Sequence, residues 1–441
     1  MKQNLSVNLL VRLQELDFTF DEVIIEFEKV FKENGMLGIL EVILEYIDGL
    51  LINNISTAVI PKMKRECCSN DNWHSHGFTT KTVKTSIGKL KLRLKRMKCS
   101  CQTTHIPFHL FFGLSKKKNF SNELQKKCCE LVCNQSYRRR STNQLKSIGN
   151  LDIKKNELYR IVNSCDLDFQ NTRNLKNINS LMADGTGYKP HFEDQKSELK
   201  IVVGLNNENR PIPIGAWIFK SWKSIGTELK KHNSPANKKL AFKPIANVLI
   251  TDGEIALIKG LEHLVHHQQR CQWHFVRDFK NAYVYLEKGD KSTCRQIQNQ
   301  IYEHINNCMN SLKKDEKSVI DSIVKAEIHL EELEKKLKIE KFNKASTYVR
   351  NARQEIFTHL KIILTTGEDV YRTTSLIERV MRELARRFKR IAHNWSEAGA
   401  ERLARMLLRF TLDKKGWDKV WSQKIIITGN FKMETVGIFP T

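Results

Sequence analysis

The chain has 441 residues, enough for two or three domains with sizeable cores. Its 74 Lys and Arg against 49 Asp and Glu leave a formal net charge of +25, a surplus that suits a polyanionic partner, most simply nucleic acid, though an ordinary basic protein also carries it. No segment offers the charge-free apolar run of ~18–20 residues that a membrane span needs or reads as an export signal, and 11 cysteines then argue for thiols or metal ligands over a disulfide framework, in the cytosol.

Residues 1–60 are acidic and helical in pattern. The first fifty hold ten acids and four bases, which fits packing on protein better than contact with a polyanion. Two or three amphipathic helices are predicted over residues 8–55, with Gly35 as a break. In the most apolar window, Met36 to Ile55, Glu41, Glu45 and Asp48 recur at helical spacing and mark one polar stripe. This face packs either on its own chain or on a second copy.

Residues 61–115 alternate. Leu90, Leu92, Leu94 and Met97 fall on one face of a period-two run with Lys and Arg on the other, the pattern of a β-hairpin. Cys67, Cys68, Cys99 and Cys101 flank it, so a zinc-ribbon-like module with structural Zn²⁺ is expected, completed by His74 or His76. The Cys-Cys and Cys-x-Cys spacings are tighter than zinc pairs usually allow, which leaves packed cysteines as the other reading.

Residues 116–175 read as three short helices, Asn122 to Val132, Ser141 to Ile148 and Ile153 to Ser164, with Ser121 and Asp152 as N-caps and a turn at Gly149-Asn150. The pattern fits either a helix-turn-helix-like DNA-binding region or a helical linker. In the first case Arg138, Arg139 and Arg140 supply phosphate contacts.

From residue 176 apolar runs at Ser180 to Asp184, Leu199 to Leu205, Ile212 to Phe219 and Asn247 to Thr251 predict four strands of an α/β sheet. Residues 286–365 are helical and charged, a block better read as an inserted subdomain than as a loop. Residues 366–425 return as basic helices, and 426–441 form a tail.

Three acids stand out in this frame. Leu181-Met-Ala-Asp184-Gly and Val248-Leu-Ile-Thr-Asp252-Gly each end an apolar run in Asp-Gly, and Thr373-Thr-Ser-Leu-Ile-Glu378-Arg opens a basic helix. Converging carboxylates suit a hard cation such as Mg²⁺ or Mn²⁺. Glu254 and Glu383 are near competitors: Glu254 is expected to point away from a shared metal, and Glu383 to lie off the helix face of Glu378. The order of acids, with Cys271-Gln-Trp-His274 soon after the second and Trp395-Ser-Glu-Ala-Gly-Ala400 after the third, resembles a Mutator-like DDE transposase of prokaryotic insertion sequences, over about residues 60–415.

That resemblance implies an RNase H-like catalytic domain, residues 176–285 and 366–425, interrupted by the all-helical insertion. It implies Asp184, Asp252 and Glu378 as catalytic metal ligands and Cys271 and His274 as residues that shape the site. It further implies DNA strand cleavage and strand transfer, with Arg379, Arg382, Arg386 and Arg387 guiding the backbone. The expected partners are double-stranded DNA, as terminal repeats and as target, and further copies of the chain in a dimer or larger assembly. The expected compartment is cytoplasmic, at the nucleoid. A domesticated or inactive DNA-binding regulator and an RNase H-like structure-specific nuclease are the rival readings.

Overall fold

The structure is a computed structural model that describes residues 35–59, 73–112, 119–136, 139–149, 151–165, 171, 175, 177–188, 197–233, 243–390 and 395–425. They divide into two compact units, one within Met1–Cys165 and Lys419–Thr441, the other within Asp166–Asp418. The architecture is mixed α and β. No described helix is long and apolar enough to cross a membrane.

The first unit opens with α1, Met36–Asn53, entered from Gly35. A three-stranded antiparallel sheet follows, β1 (Trp73–Thr85), β2 (Gly88–Cys99) and β3 (Thr104–His105), in that order, and then the short α2, Pro107–Phe111. Leu90, Leu92 and Leu94 are buried as the alternation requires, and Met97 is buried too, after the alternation shifts by one residue opposite the irregularity in β1. They join Leu51, Val83 and Phe108 in one core, with Leu37, Leu40, Leu44 and Ile47 of α1 packed against it. The polar stripe of α1 is used by its own chain. Glu41 accepts the backbone N–H of Lys91 at 2.8 Å and Asp48 that of Lys95 at 3.0 Å. Strand-edge donors that would otherwise stay open are thereby capped by carboxylates.

Of the cysteines expected to hold zinc, Cys99 and Cys101 bring their sulfurs together beside the end of β2. Cys67 and Cys68 lie outside the described residues. His74 and His76 are exposed on β1.

Three helices complete this part: α3 (Asn122–Asn134), α4 (Arg139–Gly149) and α5 (Lys155–Asn163). Ser121 caps α3 as predicted, its hydroxyl accepting Leu124 N–H at 3.1 Å. Asp152 does not cap α5, which begins two residues later with Lys154 at the N-cap. Leu151 and Ile153 are both 2% exposed, so the chain seats two apolar side chains before it can wind. Arg140 is exposed. Arg138 lies outside the described residues, and for Arg139 only the backbone is described.

The second unit is built on a five-stranded sheet. Its strands are β4 (Ser180–Tyr188), β5 (Ser197–Leu205), β6 (Pro211–Ile218), β7 (Ala246–Thr251) and β8 (Val265–Arg270), arranged β6-β5-β4-β7-β8. The first three run antiparallel, β7 is parallel to β4, and β8 is parallel to β7. Helices α6 (Trp222–Asn233) and α7 (Ile255–Leu261) share a core with Leu181, Ala183, Val202 and Leu249 on one sheet face. Because side chains alternate along a strand, Met182 and Asp184 turn to the other face.

Four strands stand where the apolar runs predict them, and β8 is an addition. Val265-His-His-Gln-Gln-Arg270 has no apolar alternation to announce it. Its free edge is covered by the helical insertion: Arg270 N–H bonds to Glu355 O at 3.2 Å, and Gln269 donates to Ile356 O at 3.0 Å and accepts His359 N–H at 2.7 Å.

The insertion comprises α8 (Gln272–Lys280), α9 (Lys291–Ser311), α10 (Glu316–Ile339), α11 (Asn343–Arg353) and α12 (Thr358–Thr366). Asp290 and Asp315 cap α9 and α10 through Thr293 and Ser318 N–H. One core runs through all five helices, from Phe275 to Leu360. Thus the residue after the Cys-x-x-His pair already belongs to the helical block. Two basic helices, α13 (Ser375–Ala385) and α14 (Glu397–Leu412), then return to the sheet, α13 against β4 and α14 against β6. The chain continues into α15, Lys414–Lys424.

Candidate active site

Asp184 and Asp252 come together through strand register. Ser180, Leu181 and Met182 pair with Val248, Leu249 and Ile250 across β4 and β7. Asp184 and Asp252 each follow two residues beyond the last of these pairs, and Asp252 is near enough to act on Asp184 through its charge. Each carboxylate accepts a nearby backbone N–H, Asp184 Oδ1 from Gly185 at 2.7 Å within β4 and Asp252 Oδ1 from Glu254 at 3.0 Å in the turn after β7.

The two charges feel each other. Burial, followed by the nearby Asp252 and Glu254, pushes the Asp184 carboxyl up to about 6, against the opposing pull of Gly185 N–H and His274. Glu254 is itself raised, by burial first and then by Glu198 and Asp252. It accepts Trp222 Nε1–H at 3.3 Å, which ties it toward α6.

Glu378 sits in the first turn of α13, the helix that lies against β4. Its Oε1 accepts the Thr374 hydroxyl at 3.1 Å and lies 3.6 Å from His274 Nδ1. Thr374 Oγ1 is also 3.1 Å from His274 Nδ1 and 3.4 Å from Cys271 Sγ, and the latter two are 3.3 Å apart. Burial acts to raise the Cys271 thiol, but hydrogen bonds from His274 and Thr374 outweigh it and bring the thiol below its usual range. His274 is raised in turn, burial being outweighed by Cys271.

Cys271 does mechanical work between the acids. Its N–H bonds to Thr251 O at 2.8 Å, one residue before Asp252, and its sulfur accepts Thr374 N–H at 3.4 Å, four residues before Glu378. Shifting Cys271 would shift the end of β7 and the start of α13 against each other. Thr374 has no signal in the sequence beyond its place beside the glutamate segment.

The basic residues after Glu378 divide. Arg379 and Arg382 are exposed and line a groove with Leu376, Val380, Glu383 and Thr411. Arg386 is half-buried and pairs with Glu383 at 2.9 Å. Arg387, expected on the same surface, is 0% exposed, with its guanidinium 5.9 Å from the Trp395 ring centre. The α-helix stops at Ala385 and Arg386–Arg390 form a π-helical turn; Arg387 stands three residues after Leu384 and seven after Val380, so helical spacing sets it on the buried face of α13.

Among the described residues no group of three or more His, Cys, Asp or Glu side chains is gathered tightly enough to hold a metal ion. Glu378, hydrogen-bonded to Thr374, is not closed in on the two aspartates. The donor chemistry nonetheless fits a hard cation: the acids offer oxygen alone, and Asp184 is raised chiefly by burial and then by the charges of Asp252 and Glu254, both of which a bound cation would offset.

No family model matches the sequence, and no curated protein does. Among solved structures, the chain is similar to the Drosophila P element transposase strand transfer complex, at 11% identity and a TM-score of 0.39, over 70% of this chain and 96% of that chain.

Proposed function

We propose that this chain is a DNA transposase of the Mutator-like kind, cutting and joining DNA at a site made by Asp184, Asp252 and Glu378. The observation that carries the reading is that β4 and β7 are adjoining parallel strands, in register through Met182 and Ile250, with Asp184 and Asp252 each two residues beyond that pair and near enough for Asp252 to raise Asp184, and with Glu378 on a helix lying against β4. The strand order, third-second-first-fourth-fifth with only the second antiparallel to the rest, is the arrangement expected of an RNase H-like domain.

Asp184, Asp252 and Glu378 would hold Mg²⁺ or Mn²⁺, which when bound offsets their mutual repulsion and draws charge from phosphate oxygens. The protein's own groups set the stage. Cys271 and Thr374 space the acids, and exposed Arg379 and Arg382 attract the DNA backbone without reading its sequence. In cleavage, a water oxygen bonds to phosphorus, the phosphorus–3′ oxygen bond breaks, and the water's proton ends on the freed 3′-hydroxyl. In transfer, that hydroxyl oxygen bonds to a target phosphorus, and the displaced target 3′ oxygen takes up the proton. Residues 60–170 are proposed to recognise the element's ends, and two chains to serve two ends.

The test uses full-length protein, Mg²⁺ and labelled duplexes carrying the DNA that flanks the gene. Wild type is expected to nick at an element end and join that end to a target duplex. Asp184→Asn, Asp252→Asn and Glu378→Gln are each expected to lose cleavage by at least about 10³-fold while binding ends. Binding without any cleavage by wild type would make the chain a regulator, and cleavage without joining would make it a nuclease.

A further inference from the structure

Arg270 is the last residue of β8 and pairs in register with Thr251, immediately before Asp252. Its guanidinium occupies the space over the next residue but one, Gly253. A Cβ placed on Gly253 would lie 0.6 Å from Arg270 Nη1, and the backbone there has φ +93°. Glycine is thus required both by the turn and by the guanidinium that rests on it.

The insertion holds this side chain from behind. The Tyr348 ring of α11 lies 5.4 Å from the Arg270 guanidinium carbon. That ring is fixed in turn, its hydroxyl reaching His274 O at 3.3 Å and Phe275 O at 3.2 Å. The Arg270 backbone is pinned to Glu355 O. Yet Nε is buried with no hydrogen-bond partner among the described residues. A guanidinium stays charged at any accessible pH, and leaving one of its donors buried and unused is costly. The side chain as a whole is only half-buried, and over the turn next to Asp252 it sets a fixed positive charge that an anion drawn to that place, such as a phosphodiester, can meet.

We propose that Arg270 binds a non-bridging oxygen of the phosphodiester being cut, so that the helical insertion is a working part of the site. This rests on the reading of the site as DNA-cleaving. Arg270 then stabilises the charge that builds on the phosphate oxygens as the phosphorus–3′ oxygen bond breaks, and Tyr348 fixes its direction.

The experiment compares full-length wild type, Arg270→Gln and Arg270→Lys on two end duplexes, one natural and one with a methylphosphonate at the cleaved position. On the natural duplex Arg270→Gln is expected to cleave about 10²–10³-fold more slowly, as loss of one aimed donor does, with Arg270→Lys between it and wild type because a point charge keeps attraction but not the fork. On the methylphosphonate all three proteins should cleave within about threefold of one another, since the oxygen that Arg270 contacts is gone. Equal slowing of the variants on both duplexes would overturn the proposal and leave Arg270 a prop for the Gly253 turn. Wild-type rates on the natural duplex would overturn it too. Should Arg270→Gln fail to fold, Arg270→Lys carries the same comparison. Failure of the underlying reading looks different: wild type itself would not cut the natural duplex.

Discussion

At neutral pH Asp184 is ionised at a cost. Its carboxyl titrates at about 6 in the folded chain, against about 4 for a free aspartate. The folded state therefore holds the proton more tightly than the unfolded state. The penalty is absent below about pH 4, grows as pH rises from 4 to 6, and reaches on the order of 3 kcal/mol above that. Asp184→Asn should accordingly raise thermal stability at pH 7.5 and leave it unchanged near pH 3.5, while removing activity. Calorimetry at the two pH values checks this, and an equal gain at both would exclude burial of charge as the cause. The same residue was legible from sequence not by Asp-Gly alone, which is often just a turn, but by its order with Asp252, the Cys-x-x-His pair and Glu378. Arg270 was not, because its importance comes from a register partner and from the absence of a Cβ on Gly253. Arg387 was misplaced for a third reason: its charge pointed to a surface, whereas its spacing from Val380 and Leu384 sets it on the buried helix face.

Among the elements, β8 depends most on its neighbours. Its outward positions are His and Gln, and it is a strand because β7 pairs one edge and residues 355–359 cover the other. Period-two alternation fails for such a strand, since hydrogen bonds rather than apolar contacts hold it. The α/β frame and the hairpin could be read from hydrophobic pattern, whereas the fifth strand could not. His359 is the buried end of this arrangement, its Nδ1 3.2 Å from Gln269 Oε1. Burial, helped by Arg372, pushes its imidazole down to about 3. The unfolded chain binds that proton near pH 6.5, so the stability His359 provides is complete above 6.5 and falls as pH drops toward 3. By pH 4 the loss is on the order of 3 kcal/mol. His359→Gln should flatten the fall in stability between pH 6.5 and 4, measured by urea unfolding across that range. An unaltered pH slope would show that His359 is not buried as a neutral ring.

At the scale of the molecule, the first unit is discontinuous in sequence. Asn122 Nδ2 donates to Lys424 O at 2.7 Å, which ties α3 to the far end of α15. A chain ending at Asp418 should lose amide-exchange protection in α3 to α5 while keeping it in β4 to β8. Equal loss in both would deny the two units their separate stabilities. Nothing in the composition of residues 419–425 announces this role, because a pairing across three hundred residues leaves no local pattern. It has a consequence for how the protein is made. A ribosome delivers residues in order, so the sheet that carries both aspartates, with its helices, is complete in the nascent chain before Lys424 has been added. The N-terminal helices, synthesised first, must wait longest for their last partner. During that wait α3 keeps a carbonyl partner missing, and a chaperone that shields early-emerging helices would act on this protein at its oldest segment, not its newest.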